Sequence, residues 1–213
     1  MGAGTGIVAR LFQARGCRVL GVEPDPRMAE LARRQGLETE VAKFEDWDPG
    51  GRTFDAVVAG QAWHWVDPVA GAAKAAGALR PAGRLVLFWN VFGLDPEMRE
   101  AFGEVYKRVD TGLPFDPWAR PLLDSYLQGC ERAASGIAGA GGFGEPEQWR
   151  FGWDRPYTRE EWLDVVPTIG GHSQIPAGKA AQLLQGLGEA IDHVGGSFTV
   201  HYTTLAVAAP RAR

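Results

Sequence analysis

Three groups of residues in this 213-residue chain have types and spacing suited to chemistry. The first is Gly2-Ala3-Gly4-Thr5-Gly6, followed at once by an apolar, helix-forming stretch. Glycines there let backbone N–H groups approach a ligand where a helix begins, a common way of holding nucleotides. The second is Glu23, seventeen positions after Gly6, at the end of the short run Arg18-Val19-Leu20-Gly21-Val22. A carboxylate at the end of such a strand can accept both hydroxyls of a ribose. The third is Gln61-Ala62-Trp63-His64-Trp65, just beyond the β-branched run Phe54–Ala59. Indole faces attract cations, and His64 has a proton affinity near neutral pH. Asn90, ending the next apolar run, is a candidate substrate contact on the same rim. The plainer readings are an ordinary turn, a solvated acid and a locally bonded histidine. Trp63 and Trp65 point opposite ways if the strand continues, so at most one faces a ligand and the other joins the core.

The elements that must position these groups alternate. Ile7, Val8, Leu11 and Phe12 share one helical face, ended by Gly16. Asp25 and Pro26 are N-cap and first-turn residues of a helix expected to turn Met28, Leu31 and Ala32 inward. A weak strand follows over Thr39–Ala42, a clear one over Phe54–Ala59, an Ala-rich helix over Val69–Leu79, a turn at Arg80–Gly83 and a buried strand over Arg84–Trp89. Strands separated by helices of about ten residues imply a parallel α/β sheet. Beyond Asn90 the alternation lapses. A helix opens at Asp95-Pro96, a second covers Leu123–Ala134, and Gly136–Gly144 reads as a flexible connection. Then come a strand at Gln148–Trp153, a capping box at Thr158–Glu161, a helix over Ala177–Val194 and a closing strand over Ser197–Ala208. Tyr106, Phe115 and Trp118 are aromatic residues of the helical cover that could line a pocket or simply pack.

Bulk properties narrow the class. Net charge is −4 with mixed signs, so no basic stripe suggests nucleic acid, and no apolar run reaches membrane length. Cys17 and Cys130 are too few for a disulfide framework, and no His or Cys spacing suggests a metal site. These features lead to the expectation of a cytoplasmic protein, monomeric or homodimeric, that binds neither membrane nor nucleic acid.

Five segments occur in order: Gly2–Gly6, Gly21-Val22-Glu23-Pro24, Phe54–Val58, Gln61–Trp65 and Leu79-Arg80-Pro81-Ala82-Gly83-Arg84-Leu85. Together they resemble the successive motifs of class I S-adenosylmethionine-dependent methyltransferases, in particular the bacterial small-molecule enzymes, over residues 2 to about 92. The resemblance implies that Gly2, Ala3, Gly4 and Gly6 face the methionine part of S-adenosyl-L-methionine, that Glu23 holds the ribose and that Pro24 lies beside the adenine. It places Phe44 and Glu45 on the adenine border and closes the site with Gln61 and Ala62. Lys43, where the family often has a small polar or acidic residue, cannot accept a bond from the adenine amino group. Trp63, Trp65 and Asn90 become substrate contacts, and His64 the candidate proton acceptor in direct methyl transfer to a small molecule.

The fold expected is a Rossmann-like, doubly wound, mostly parallel sheet with an antiparallel closing strand and a helical insertion. It forms one domain, with residues 1–92 as cofactor half, 93–145 as helical cover and 146–213 as closing strands and helices. In the family order 3-2-1-4-5-7-6, the glycine loop follows a central strand that this chain lacks. Weak cofactor binding relative to a chain extended upstream is the corresponding expectation. An impaired, methyltransferase-like binding protein and an NAD(P)-dependent oxidoreductase remain as alternatives. The second is disfavoured by Ile7 where the dinucleotide fingerprint has its third glycine.

Overall fold

A computed structural model describes residues 1–113, 117–118 and 122–213. Its helices are α1 (Ile7–Gln13), α2 (Pro26–Arg34), α3 (Pro68–Ala78), α4 (Pro96–Arg108), α5 (Leu122–Ala140), α6 (Arg159–Val165) and α7 (Ala177–His193). Its strands are β1 (Leu20–Glu23), β2 (Glu38–Val41), β3 (Phe54–Gly60), β4 (Leu79–Gly93), β5 (Glu147–Thr158) and β6 (Ser197–Pro210). The architecture is the α/β one expected. The strands form two sheets: β1 and β2 pair in parallel, and the second sheet has the order β3-β4-β6-β5 with β3 and β4 parallel. The opening residues lie between them, for the Ala3 amide donates to the Val22 carbonyl (3.2 Å) and the Met1 amino group to the Val58 carbonyl (2.7 Å).

The chain divides into two compact units. The first holds Met1–Asn90, Tyr126–Arg150 and Thr204–Arg213, and the second Val91–Ser125 and Phe151–Thr203. In the first unit, the expected start at Asp25-Pro26 is present, Asp25 accepting from the Arg27 amide, and α3 has a like start that the sequence reading did not name, Asp67 accepting from the amides of Val69 and Ala70. The turn at Arg80–Gly83 is absorbed into β4 as a bulge. Phe54 pairs with Leu79 but Ala56 with Arg84, and Ala82 takes a positive φ of 61°. The expected connection Gly136–Gly144 is shorter than foreseen, because α5 runs on to Ala140 and leaves only Gly141–Gly144 outside it. A Cβ at Gly136 would stand 2.5 Å from the Pro68 Cβ, so its glycine permits a close approach to the start of α3.

Most of the large side chains expected inward on α1 and α2 lie outward, while Ala32 is buried as expected. Ile7, Leu11 and Phe12 of α1 are exposed while Ala9 is buried, and in α2 Met28 and Leu31 are exposed while Ala29 and Ala32 are buried. Where helices approach closely, the small residue faces inward and the large one is displaced outward.

The second unit has an aromatic core. Phe102 and Trp162 stack at 6.0 Å, and Phe92, Trp118, Tyr157 and Phe198 pack around them edge-on or tilted. Tyr106 and Trp118 pack on each other in this core, Trp118 also lining a cavity described below, and Phe115 lies outside the described residues. The capping box of α6 is formed, Thr158 Oγ1 accepting from the Glu161 amide and Glu161 Oε2 from that of Thr158. Asp95 precedes α4 as expected but makes no capping bond; its carboxylate stands 3.3 Å from His201 Nε2.

His172 is buried, with Nε2 2.5 Å from the Tyr106 hydroxyl. Burial pushes its pKa below the ordinary histidine value. The unfolded chain then binds the proton more readily, so stability is complete above about pH 6.5 and falls as pH drops below it. His201, exposed between Asp154 and Asp95, has a raised pKa and acts in the opposite sense, weakly because solvent screens it. Thermal melts of His172→Gln between neutral pH and about 5.5 should show a shallower decline than the parent.

Candidate functional site

The candidate cofactor and rim residues lie in the first unit: Gly2–Gly6 ahead of α1, Glu23 and Pro24 at the end of β1, Phe44 and Glu45 beyond β2, Gln61–Trp65 beyond β3, and Asn90 within β4. Glu23 closes β1 and is only 6% exposed. Its Oε2 accepts from the Gly4 amide at 2.7 Å and its Oε1 from the Asp25 amide at 3.0 Å. No basic side chain pairs with it among the described residues, so backbone dipoles compensate the buried charge. Gly4 adopts φ +55°, and a Cβ built there would meet nothing within 4 Å. The loop thus presents its Gly4 amide to Glu23 while leaving open space beside it. At Gly2 (φ +57°) a Cβ would stand 2.4 Å from the Ala62 Cβ, which brings the loop against the segment after β3.

That segment leaves the sheet abruptly. Gln61 has φ 54°, a left-handed conformation that is strained for a non-glycine residue. Its amide donates to the Phe88 carbonyl (2.9 Å) and its Nε2 to that of Asn90 (3.0 Å), tying the β3 and β4 ends together. Asn90 Oδ1 in turn accepts from Thr204 Oγ1 at 2.7 Å. Gly2, Gly4, Glu23, Gln61, Ala62 and Asn90 therefore form one connected set, as their order in the sequence implied.

Trp63 to Trp65 form a 3₁₀ turn rather than a strand extension. Trp63 is 3% exposed, and Gly71 of α3 has no room for a Cβ, which would stand 3.0 Å from the Trp63 ring. Its assignment as a substrate contact is corrected, because the ring is enclosed by the core. Trp65 is 83% exposed, with His64 beside it at a ring separation of 5.0 Å. Desolvation holds the His64 pKa below the usual histidine value, so the imidazole is neutral at neutral pH. Phe44 is buried and stacks on Trp47 at 6.0 Å, leaving its backbone rather than its ring to border a ligand. Glu45 Oε1 accepts from the Asp67 amide at 3.3 Å, and Pro24 is exposed next to Glu23.

The sequence alone did not reveal three supports: the Asp25 amide, the Gln61 bridge to Asn90, and Thr204. Asp25 was legible as a cap, which it is, but its own N–H has a second task. Nothing local pairs Thr204 with a residue 114 positions earlier. In the second unit, a separate cavity of about 260 Å³ is lined by Phe92, Leu94, Arg99, Trp118, His201 and Thr203, among others.

Residues 1–87 match the family profile described as "Methyltransferase domain". Over those residues the chain resembles a methyltransferase domain. An uncharacterized methyltransferase of Mycobacterium tuberculosis is 39% identical over 125 residues, covering 54% of this chain and 51% of the relative. The ubiquinone biosynthesis O-methyltransferase of Methylocella silvestris is 35% identical over 89 residues, 38% of this chain and 35% of that protein. The chain spans about half the length, or less, of these curated relatives. Among solved structures, a proposed type II methyltransferase from Anaeromyxobacter dehalogenans superposes with TM-score 0.66 at 20% identity, over 97% of this chain and 86% of that one. A Haemonchus contortus phosphoethanolamine N-methyltransferase, solved with phosphomonomethylethanolamine and S-adenosylhomocysteine, gives 0.51 at 17% identity, over 100% and 48%. At such identities the superpositions bear on the fold alone.

The site's packing yields three expected outcomes. Gly2→Ala should cost about 1–3 kcal/mol in denaturant unfolding, from the positive φ and the collision with Ala62. Trp63→Ala should cost roughly 3–5 kcal/mol as a core truncation. Trp65→Ala should stay within about 0.5 kcal/mol of the parent, as an exposed side chain.

Proposed function

We propose that this chain is an S-adenosyl-L-methionine-dependent methyltransferase acting on a small-molecule acceptor. The observation that carries the reading is the Glu23 carboxylate, buried and held by the Gly4 and Asp25 amides beside the open space at Gly4. Each carboxylate oxygen has a further lone pair to offer, and a ribose diol supplies two matching donors. Gly2, Ala3, Gly4 and Gly6 would lie along the methionine part, Pro24, Glu45 and the Phe44 backbone along the adenine, and Gln61 with Ala62 across the opening.

When bound, the cofactor supplies a methyl on a cationic sulfur: the acceptor's lone pair forms a bond to the methyl carbon while the carbon–sulfur pair returns to sulfur. The chain's own task is orientation and exclusion of water. Neutral His64 is suited to take the proton released when an oxygen acceptor loses it, the atom class in the name of the Methylocella relative. Trp65 offers an exposed aromatic face and Asn90 a carboxamide on the same rim.

Calorimetric titration tests the assignment. S-adenosylhomocysteine should bind and NADH should not, and Glu23→Ala should weaken the former by at least roughly tenfold. Equal affinity in Glu23→Ala would remove the ribose role, and NADH binding would favour the oxidoreductase reading. Mass spectrometry of the purified chain should detect an adenosyl ligand.

A further inference from the structure

The terminal strand β5 carries a pattern that the methyl-transfer reading does not use. It ends the order β3-β4-β6-β5, and each of its residues except Tyr157 is exposed. A terminal strand offers backbone groups to any matching chain, and proteins blunt such edges with lysines, bulges or short length. β5 has no lysine and runs for twelve residues. One face carries Trp149, Phe151 and Trp153, which are 38%, 56% and 40% exposed. Trp153 lies flat on Tyr202, with ring centroids 4.1 Å apart and planes 8° apart, which holds that end of the stripe against the sheet.

The opposite face carries Arg150, Gly152 and Asp154. Arg150 has no ion-pair partner among the described residues. Asp154 accepts from His201 Nδ1 at 2.8 Å, and His201 Nε2 faces Asp95 at 3.3 Å, so two carboxylates share one imidazole and negative charge remains.

This arrangement is complementary to itself. In an antiparallel pair of two β5 strands centred on Gly152, Arg150 of each copy stands opposite Asp154 of the other, and Phe151 opposite Trp153. Trp149 falls opposite Arg155, a cation facing an indole. Centring on Arg150 or on Asp154 would set like charges face to face. Pro156 supplies no N–H, so pairing ends there, and the midpoint of 148–156 is Gly152. Glycine at the two-fold axis leaves its face clear for the two charge pairs beside it.

We propose that two copies of this chain associate through antiparallel pairing of β5 about Gly152. Sedimentation velocity of the full chain, up to high micromolar concentration, should show a reversible dimer. Arg150→Glu and Asp154→Arg should each weaken it by roughly tenfold or more, since each creates two like-charge pairs. The double variant R150E/D154R should restore it, with circular dichroism confirming that all three variants remain folded. A parent chain that stays monomeric, a dimer that survives both single reversals, or a double variant no tighter than the singles would overturn the proposal. None of these outcomes depends on cofactor binding.

Discussion

The structure around the site depends on a buried carboxylate held by backbone amides, with the Met1 amino group adding a favourable charge interaction. An anion taken out of water is costly unless hydrogen bonds replace its hydration. Glu23 obtains them from Gly4 and Asp25, so the glycine loop and the start of α2 are tied to the end of β1. The constraint spreads from there. Gly4 must hold a positive φ to aim its N–H, and a Cβ at Gly21 beneath it would stand 3.0 Å from both Ala3 Cβ and Thr39 Oγ1. The Ala3 amide meanwhile donates to Val22. Small residues at these points permit the close approach that the carboxylate requires.

A second constraint sets the opposite wall. At Gly60 a Cβ would stand 2.6 Å from the Phe88 ring, so β3 must end in glycine for β4 to keep its phenylalanine there. The chain then reverses at Gln61, whose left-handed backbone costs of order 1–3 kcal/mol. The bonds from Gln61 to Phe88 and Asn90, with the burial of Trp63 just beyond, offset that strain. Strain held by surrounding packing is a common property of ligand-binding rims.

Much of this was legible in the sequence because the relevant signals are local. The Asp–Pro helix starts, the Thr158–Glu161 box, the apolar runs of β3 and β4, and the Gly2–Gly6 and Glu23 pairing all follow from spacing. What was not legible depends on tertiary approach. Hydrophobic periodicity put Ile7, Leu11, Met28 and Leu31 inside, yet Ala9 and Ala29 are buried instead, with Ala32 inside as expected. Gly136 looked like a loop residue and is instead a helix contact against Pro68. Period-two alternation left one of Trp63 and Trp65 for the core, and the 3₁₀ turn together with Gly71 decides which.

The same comparison explains why the acceptor's identity is less legible than the ligand-binding frame. Frame residues act mainly through backbone: the amides of Gly4 and Asp25, the positive φ of Gly2 and Gln61, and glycines that admit a neighbour. Such requirements restrict residue type strongly, so they leave a pattern in sequence. In the proposed function, Trp65, His64 and Asn90 would act through side chains at a rim, where many residue types satisfy the geometry and the chemistry alone selects among them. Asn90 illustrates the difference, since its carbonyl is fixed by Gln61 while its carboxamide is oriented by Thr204 from a distant strand. Backbone-determined function is therefore read from spacing, and side-chain-determined specificity only from the folded contacts.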